Sequence, residues 1–261
     1  MSAWLRVALL VIPFIAVASL ADGQAPRGEA RLTGDYANSW ALLIGVDRTP
    51  GKAILSSVAD AGRMKAALIK LGFPEKNIRV LPNPRGDAMR RAILRPFEGM
   101  GANDRYVVYF SGHGDTQRAL DGTEEGYLLA ADYDAADLWN TAISMKEIRD
   151  VGSRLPVKHR LFILDACFAG HAVTMAAGDV PSAPEALKEY LRVPVTEILA
   201  AGKADQAAYQ VNNQGVFTKW VIKSLEFFPR KQPGGALTAN QLWVDVSREV
   251  AYESNGRLTP P

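Results

Sequence analysis

Tyr106-Val107-Val108-Tyr109-Phe110-Ser111-Gly112-His113-Gly114 and Leu161-Phe162-Ile163-Leu164-Asp165-Ala166-Cys167-Phe168-Ala169-Gly170 are two segments of one build. Each is an apolar, β-rich run that reads as a buried strand. Each stops abruptly at small residues carrying one reactive side chain. His113 comes first, and Cys167, the chain's one cysteine, follows 54 residues later.

Other elements extend outward from these two. Trp40 to Val46 is another continuous apolar run, ended by Asp47 and a Pro50-Gly51 turn. Ser57 to Leu71 places apolar or small residues at a helical period, with Gly72 as a stop. Asn77 to Leu81 reads as a short strand. Asp87 to Met100 reads as a helix that Pro96 kinks or ends. Gly126 to Ala131 reads as a hairpin or edge strand. Ser144 caps a helix running to Val151, with Glu147 at the capping-box position. Val195 to Ala201 is a strand, and Phe217 to Phe228 and Thr238 to Tyr252 are helices. Alternating strands and helices predict an α/β fold with a mostly parallel sheet and helices on both faces. His113 and Cys167 then stand at the carboxyl ends of two strands, where open α/β sheets bind ligands.

Composition narrows the function classes. The 261 residues are 48% hydrophobic and 22% charged, with a net charge of +2. That balance gives no reason to expect a nucleic-acid partner. One cysteine and three histidines are poor material for a zinc site. No internal disulfide can form. The N-terminus differs from the rest. Arg6 precedes an apolar stretch from Val7 to Leu20, and Ser19-Leu20-Ala21 resembles a cleavage site. Residues 1–21 therefore read as a signal peptide, with an uncleaved anchor as the other reading. The stretch is short of the roughly 20 residues that span a bilayer. The expected protein is exported, periplasmic or secreted, with no membrane contact after cleavage. Residues 22–39 read as a linker, 40–255 as one domain, 171–194 as a mobile loop within it, and 256–261 as a tail, with truncation of a longer chain as one reading.

A cysteine nucleophile needs a thiolate beside an imidazole that can also protonate a leaving amine. His113 and Cys167 on matching strand ends meet that requirement. The backbone N–H groups of Gly114 and Cys167 are candidates for an oxyanion hole. Taken singly, a strand-end Cys is often a small core residue and a lone His structural. His159, expected at the surface or an edge, and His171, in the loop after Cys167, are the competing imidazoles. No Gly-x-Ser-x-Gly elbow and no phosphate-binding loop points to another hydrolase or a nucleotide enzyme.

The chain resembles the caspase-domain cysteine peptidases, family C14, and among them the bacterial metacaspase-like proteins. The resemblance rests on Leu42-Leu-Ile-Gly-Val46, Val58-Ala-Asp60-Ala61, Tyr109-Phe-Ser-Gly-His113-Gly114, Thr141-Ala-Ile-Ser144, Asp165-Ala-Cys167-Phe-Ala-Gly170 and Gly215-Val-Phe-Thr218. It implies a caspase-like three-layer sandwich with a central six-stranded sheet, a His113/Cys167 dyad and hydrolysis of peptide bonds. It also implies acidic residues in the first specificity pocket: Asp165, Asp60 and, by a looser match, Asp205. Carboxylates there favour a polypeptide substrate with Arg or Lys before the cleaved bond. The plain alternatives are a strand-end cap for Asp165, a solvated helix acid for Asp60 and a loop acid for Asp205. Lys188 and Arg192 are candidate self-cleavage points. No cofactor is firmly required. Calcium is the one candidate, with Asp132, Asp134 and Asp137 as ligands, and a solvated loop is the other reading of that cluster. A catalytically silent caspase-like scaffold is the alternative function.

Overall fold

The computed structural model describes residues 36–53, 56–118, 120–167, 194–202, 206, 209–231 and 237–260. In chain order its elements are β1 (Ser39–Gly45), β2 (Arg48–Thr49), β3 (Lys52–Ala53), α1 (Ser57–Lys70), β4 (Ile78–Pro82), α2 (Gly86–Leu94), β5 (Arg105–Ser111), β6 (Gly114–Arg118), β7 (Glu124–Leu128), α3 (Leu138–Thr141), β8 (Ile143–Ser144), α4 (Met145–Arg154), β9 (His159–Cys167), β10 (Val195–Gly202), β11 (Gln210–Val211), β12 (Gln214–Gly215), α5 (Val216–Lys231) and α6 (Ala239–Glu253). The apolar runs form one parallel sheet in the order β10-β9-β5-β1-β4. Among the described residues this sheet has five strands, where six were expected.

Both faces of the sheet are covered, which is why its strands read as unbroken apolar runs. Side chains alternate between the faces with period two. Leu43, Tyr109, Ile163 and Leu199 pack with Met64 and Leu68 of α1, Phe217 and Val221 of α5 and Leu242 and Val246 of α6. Leu42, Phe110, Phe162 and Leu164 pack on the other face with Met89 and Ile93 of α2 and Ile148 and Val151 of α4. The result is the three-layer α/β sandwich.

Several local expectations change. α2 ends at Leu94 because Arg95 precedes Pro96, which disfavours helical backbone at the residue before it. Thr238 is the N-cap of α6, not a member, and forms a capping box with Gln241. Ser144 and Glu147 form the box expected at α4. The hairpin at Gly126–Ala131 is part of a three-stranded antiparallel sheet, β6-β7-β8. The linker ends before Ser39, which opens β1, and Ala37 N–H already donates to Asn103 O at 2.8 Å. The tail is docked as well. Leu258 is fully buried, and Thr259 exchanges hydrogen bonds with Gln206 at 2.7 and 3.0 Å. The residues read as a signal peptide, the segment after Cys167 with His171, Lys188 and Arg192, and Asp205 lie outside the described residues.

Candidate active site

The register of β5 on β9 places the two reactive residues. Arg105 pairs with His159 and Ser111 with Asp165, a constant offset along the ladder. His113 and Cys167 have that same offset, so each stands two residues past one paired position. The ladder runs on beyond Ser111, since Gly112 N–H donates to Asp165 O at 3.2 Å. Adjacent strands lie about 4.8 Å apart, so the two backbones arrive side by side at the carboxyl edge. His113 is half-buried, and its carbonyl accepts from Leu129 N–H at 3.0 Å, which ties it to the small sheet. Gly114 opens β6 opposite Leu128. On its other side β9 shifts register against β10: Leu164 pairs with Ala200, then Cys167 with Gly202. That register shift falls between Ala200 and Gly202, immediately before the pairing of Cys167.

Two of the three predicted pocket acids meet beside this edge. Asp60 lies in the first turn of α1. Gly45 allows that approach, because a Cβ on it would stand 2.4 Å from Ser57 O. Asp60 is 0% exposed. Its Oδ2 accepts from Ser56 Oγ at 3.0 Å and Gly215 N–H at 2.9 Å, and its Oδ1 accepts from Arg63 Nη1 at 2.7 Å. Burial raises its pKa, opposed by the bonds from Gly215, Arg63 and Ser56.

Asp165 is 7% exposed, and its Oδ2 accepts from Thr218 Oγ1 at 2.5 Å and Thr218 N–H at 3.3 Å. Thr218 lies in the first turn of α5, so the carboxylate faces a helix N-terminus. Tyr109 Oη shares a 2.6 Å hydrogen bond with the same Thr218 hydroxyl. Burial pushes Asp165 up to about 6; the Thr218 hydroxyl pulls it down, and the nearby Asp60 charge adds to the rise. Gly215 separates the two acids. A Cβ there would stand 2.5 Å from Asp165 Oδ2 and 3.2 Å from Asp60 Oδ2. Asp60 is not the solvated helix acid of the plain reading.

Sequence reasoning missed the partners of these acids. Thr218 and Gly215 were visible only as part of a matching motif. Tyr109 likewise stood in a matching motif, while Arg63 and Ser56 carried no signal. His159 is fully buried, hydrogen-bonded through Nδ1 to Tyr36 Oη and edge-on to its ring, so it is not a surface residue. The three calcium candidates do not converge. Asp132 accepts from Gly86 N–H at the start of α2 and pairs with Arg85, Asp134 accepts from Ala136 N–H, and Asp137 caps α3. Among the described residues no group of three or more His, Cys, Asp or Glu is placed to hold a metal ion. Each of the three accepts from a local backbone donor. A separate cleft of about 1030 Å³, lined by Arg79, Phe97 and Leu155 among others, lies at the amino ends of the strands, away from the dyad.

The caspase domain model of family C14 matches residues 38–260. The chain belongs to the caspase-domain family. Metacaspase-4 of Arabidopsis thaliana is 31% identical over 146 residues, covering 52% of this chain and 34% of that protein. Metacaspase-6 of the same plant is 28% identical over 164 residues, covering 57% of this chain and 43% of that protein. The matches therefore span less than half the length of either curated relative. The solved structure of caspase-1 from Spodoptera frugiperda is similar in fold, with TM-score 0.59 and 15% identity over 91% of this chain and 85% of that one. In this caspase domain the carboxyl edge of β5 and β9 brings the backbone positions of His113 and Cys167 beside the buried acid pair.

Proposed function

We propose that the chain is a cysteine endopeptidase that cleaves after Arg or Lys. The observation that carries this reading is the common register of His113 and Cys167 beside the acid pair Asp60 and Asp165. In this mechanism the Cys167 thiolate attacks the carbonyl carbon of the scissile bond. The negative charge on the carbonyl oxygen is received by the N–H groups of Gly114 and Cys167. His113 gives its proton to the leaving amine, and the C–N bond breaks to leave a thioester. Water, deprotonated by His113, then attacks the thioester and frees the thiol and the acid product. The acid pair orients a basic side chain and excludes an acidic one by like-charge repulsion. Asp205 belongs to the same pocket in this proposal, and residues 1–21 direct export and are then removed.

The test is hydrolysis of Arg-, Lys- and Asp-terminated fluorogenic peptides by the full chain, with and without calcium, beside Cys167→Ala and His113→Ala. Turnover of the basic peptides that both substitutions abolish supports the reading. Equal turnover of the Asp peptide would refute the specificity. A folded protein without turnover in either condition would favour the silent scaffold. N-terminal sequencing of exported protein tests the leader, and a chain that begins with Met1 would refute cleavage.

A further inference from the structure

The two pocket acids are not equivalent, and the difference lies in a third residue. Asp60 already holds a guanidinium. Arg63 Nη1 stands 2.7 Å from Asp60 Oδ1, and the same nitrogen donates to Asn213 O at 3.2 Å. Asn212 and Asn213 form the turn of the β11–β12 hairpin, both at positive φ, 52° and 58°. That conformation suits a two-residue hairpin turn, and here its Asn213 carbonyl oxygen meets Arg63. The Arg63 side chain is 39% exposed, whereas Asp60 has no exposure at all. Asp60 is therefore covered on one oxygen by a cation of its own helix and on the other by Ser56 and Gly215.

Asp165 is different in each respect. Its two bonds come from one neutral residue and fall on one oxygen. Among the described residues its Oδ1 accepts no hydrogen bond, no cation pairs with it, and it keeps 7% exposure. The carboxylate with charge left to offer is Asp165.

We infer that Arg63 is an internal counter-ion that occupies Asp60 as a substrate's basic side chain would, so that an incoming guanidinium binds on Asp165 alone and Arg63 limits how tightly it is held. This rests on the proposal that the pocket takes basic side chains. Arg63 is a specificity-determining residue, and it acts by competing for a carboxylate with no part in bond breaking. A partly exposed guanidinium can swing into water, and its departure leaves a second acid for the ligand.

The experiment reads binding without turnover. The full chain carrying Cys167→Ala is titrated with n-butylguanidinium, and with n-butylurea as the uncharged isostere, by calorimetry at pH 8. The Arg63→Gln, Arg63→Lys, Asp165→Asn and Arg63→Gln/Asp165→Asn forms are compared, each checked for cooperative melting. Butylguanidinium is expected to bind about tenfold more tightly to Arg63→Gln than to the parent, a charge-assisted hydrogen bond being worth this much. Arg63→Lys is expected to remain near the parent. Asp165→Asn is expected to abolish binding when Arg63 is present and only to weaken it when Arg63 is replaced. Equal or weaker affinity in Arg63→Gln would overturn the inference while leaving the basic pocket intact. Binding of neither ligand, or equal binding of both, in every form would overturn the basic pocket and the inference with it. Should Arg63→Gln fail to melt cooperatively, a parent affinity that survives Asp165→Asn would still overturn the assignment.

Discussion

Asp165→Asn separates the cost of the acid pair from its use. The substitution keeps the shape and leaves an amide oxygen to accept from Thr218, so the hydroxyl and N–H donors stay satisfied. What it removes is the charge. Burial, together with the Asp60 charge, lifts Asp165 from 3.8 to about 6. An acid with a raised folded pKa holds its proton in the folded state while the unfolded chain has released it. Its stabilising contribution is complete below about 3.8 and is lost as pH rises through about 6. At about 1.4 kcal/mol per pH unit, the loss is about 3 kcal/mol. The stability of Asp165→Asn minus that of the parent should therefore grow by about 2–3 kcal/mol between pH 4 and 7. Urea unfolding at a series of pH values measures it. At the same time the substitution should lower the kcat/KM ratio of Arg over citrulline peptides at pH 8 by tenfold or more. A stability difference flat in pH would refute the buried ionised acid. An unchanged Arg-over-citrulline ratio would refute its role in substrate binding.

Other perturbations follow from the same contacts. Gly215→Ala places a methyl group 2.5 Å from Asp165 Oδ2 and should cost about 1–3 kcal/mol in urea unfolding, with a raised KM for Arg peptides; a loss under about 0.5 kcal/mol would mean that both acids can retreat. Arg90→Ala removes the guanidinium that binds Glu147 and the carbonyls of Asn140 and Ala142, and should cost about 2–4 kcal/mol while kcat of the folded enzyme is kept. A fall in kcat at full foldedness would show that this support reaches the active site. Asp132→Asn weakens the acid at the start of α2 and should cost about 0.5–1 kcal/mol without altering any response to calcium. A calcium response lost with it would restore Asp132 as a ligand.

Legibility followed the range of the interactions. β1, β5 and β9 were readable because each is buried on both faces, which forces a continuous apolar run. Ser144 and Glu147 were readable because a capping box is complete within four residues. β6 was missed because Gly114–Arg118 is polar and lies in a small outer sheet, where no face demands apolar residues. His159 was misplaced because its burial depends on Tyr36, and nothing beside it in sequence announces that partner. The dyad positions were legible as strand ends, since the parallel register carries their spacing directly. The pocket was legible only through resemblance. Asp60 meets Gly215 across 155 residues and Asp165 meets Thr218 across 53, and no local pattern encodes such pairs.

The acid pair also bears on the rival scaffold reading. Two carboxylates that repel one another flank a glycine, one 0% and the other 7% exposed, and Asp165 lacks a cation partner among the described residues. Replacing buried ionic groups by well-packed apolar ones is often neutral or stabilising. A domain serving only as a scaffold would gain stability by losing Asp165, as the pH argument above quantifies. Its fixed place against Thr218 and Tyr109 costs stability in the absence of a ligand. A cationic side chain entering beside Asp165 would remove that cost, and under the proposed specificity the cost would be recovered as affinity for a basic substrate. The residue that weakens the fold is thus the one proposed to bind the substrate's basic side chain.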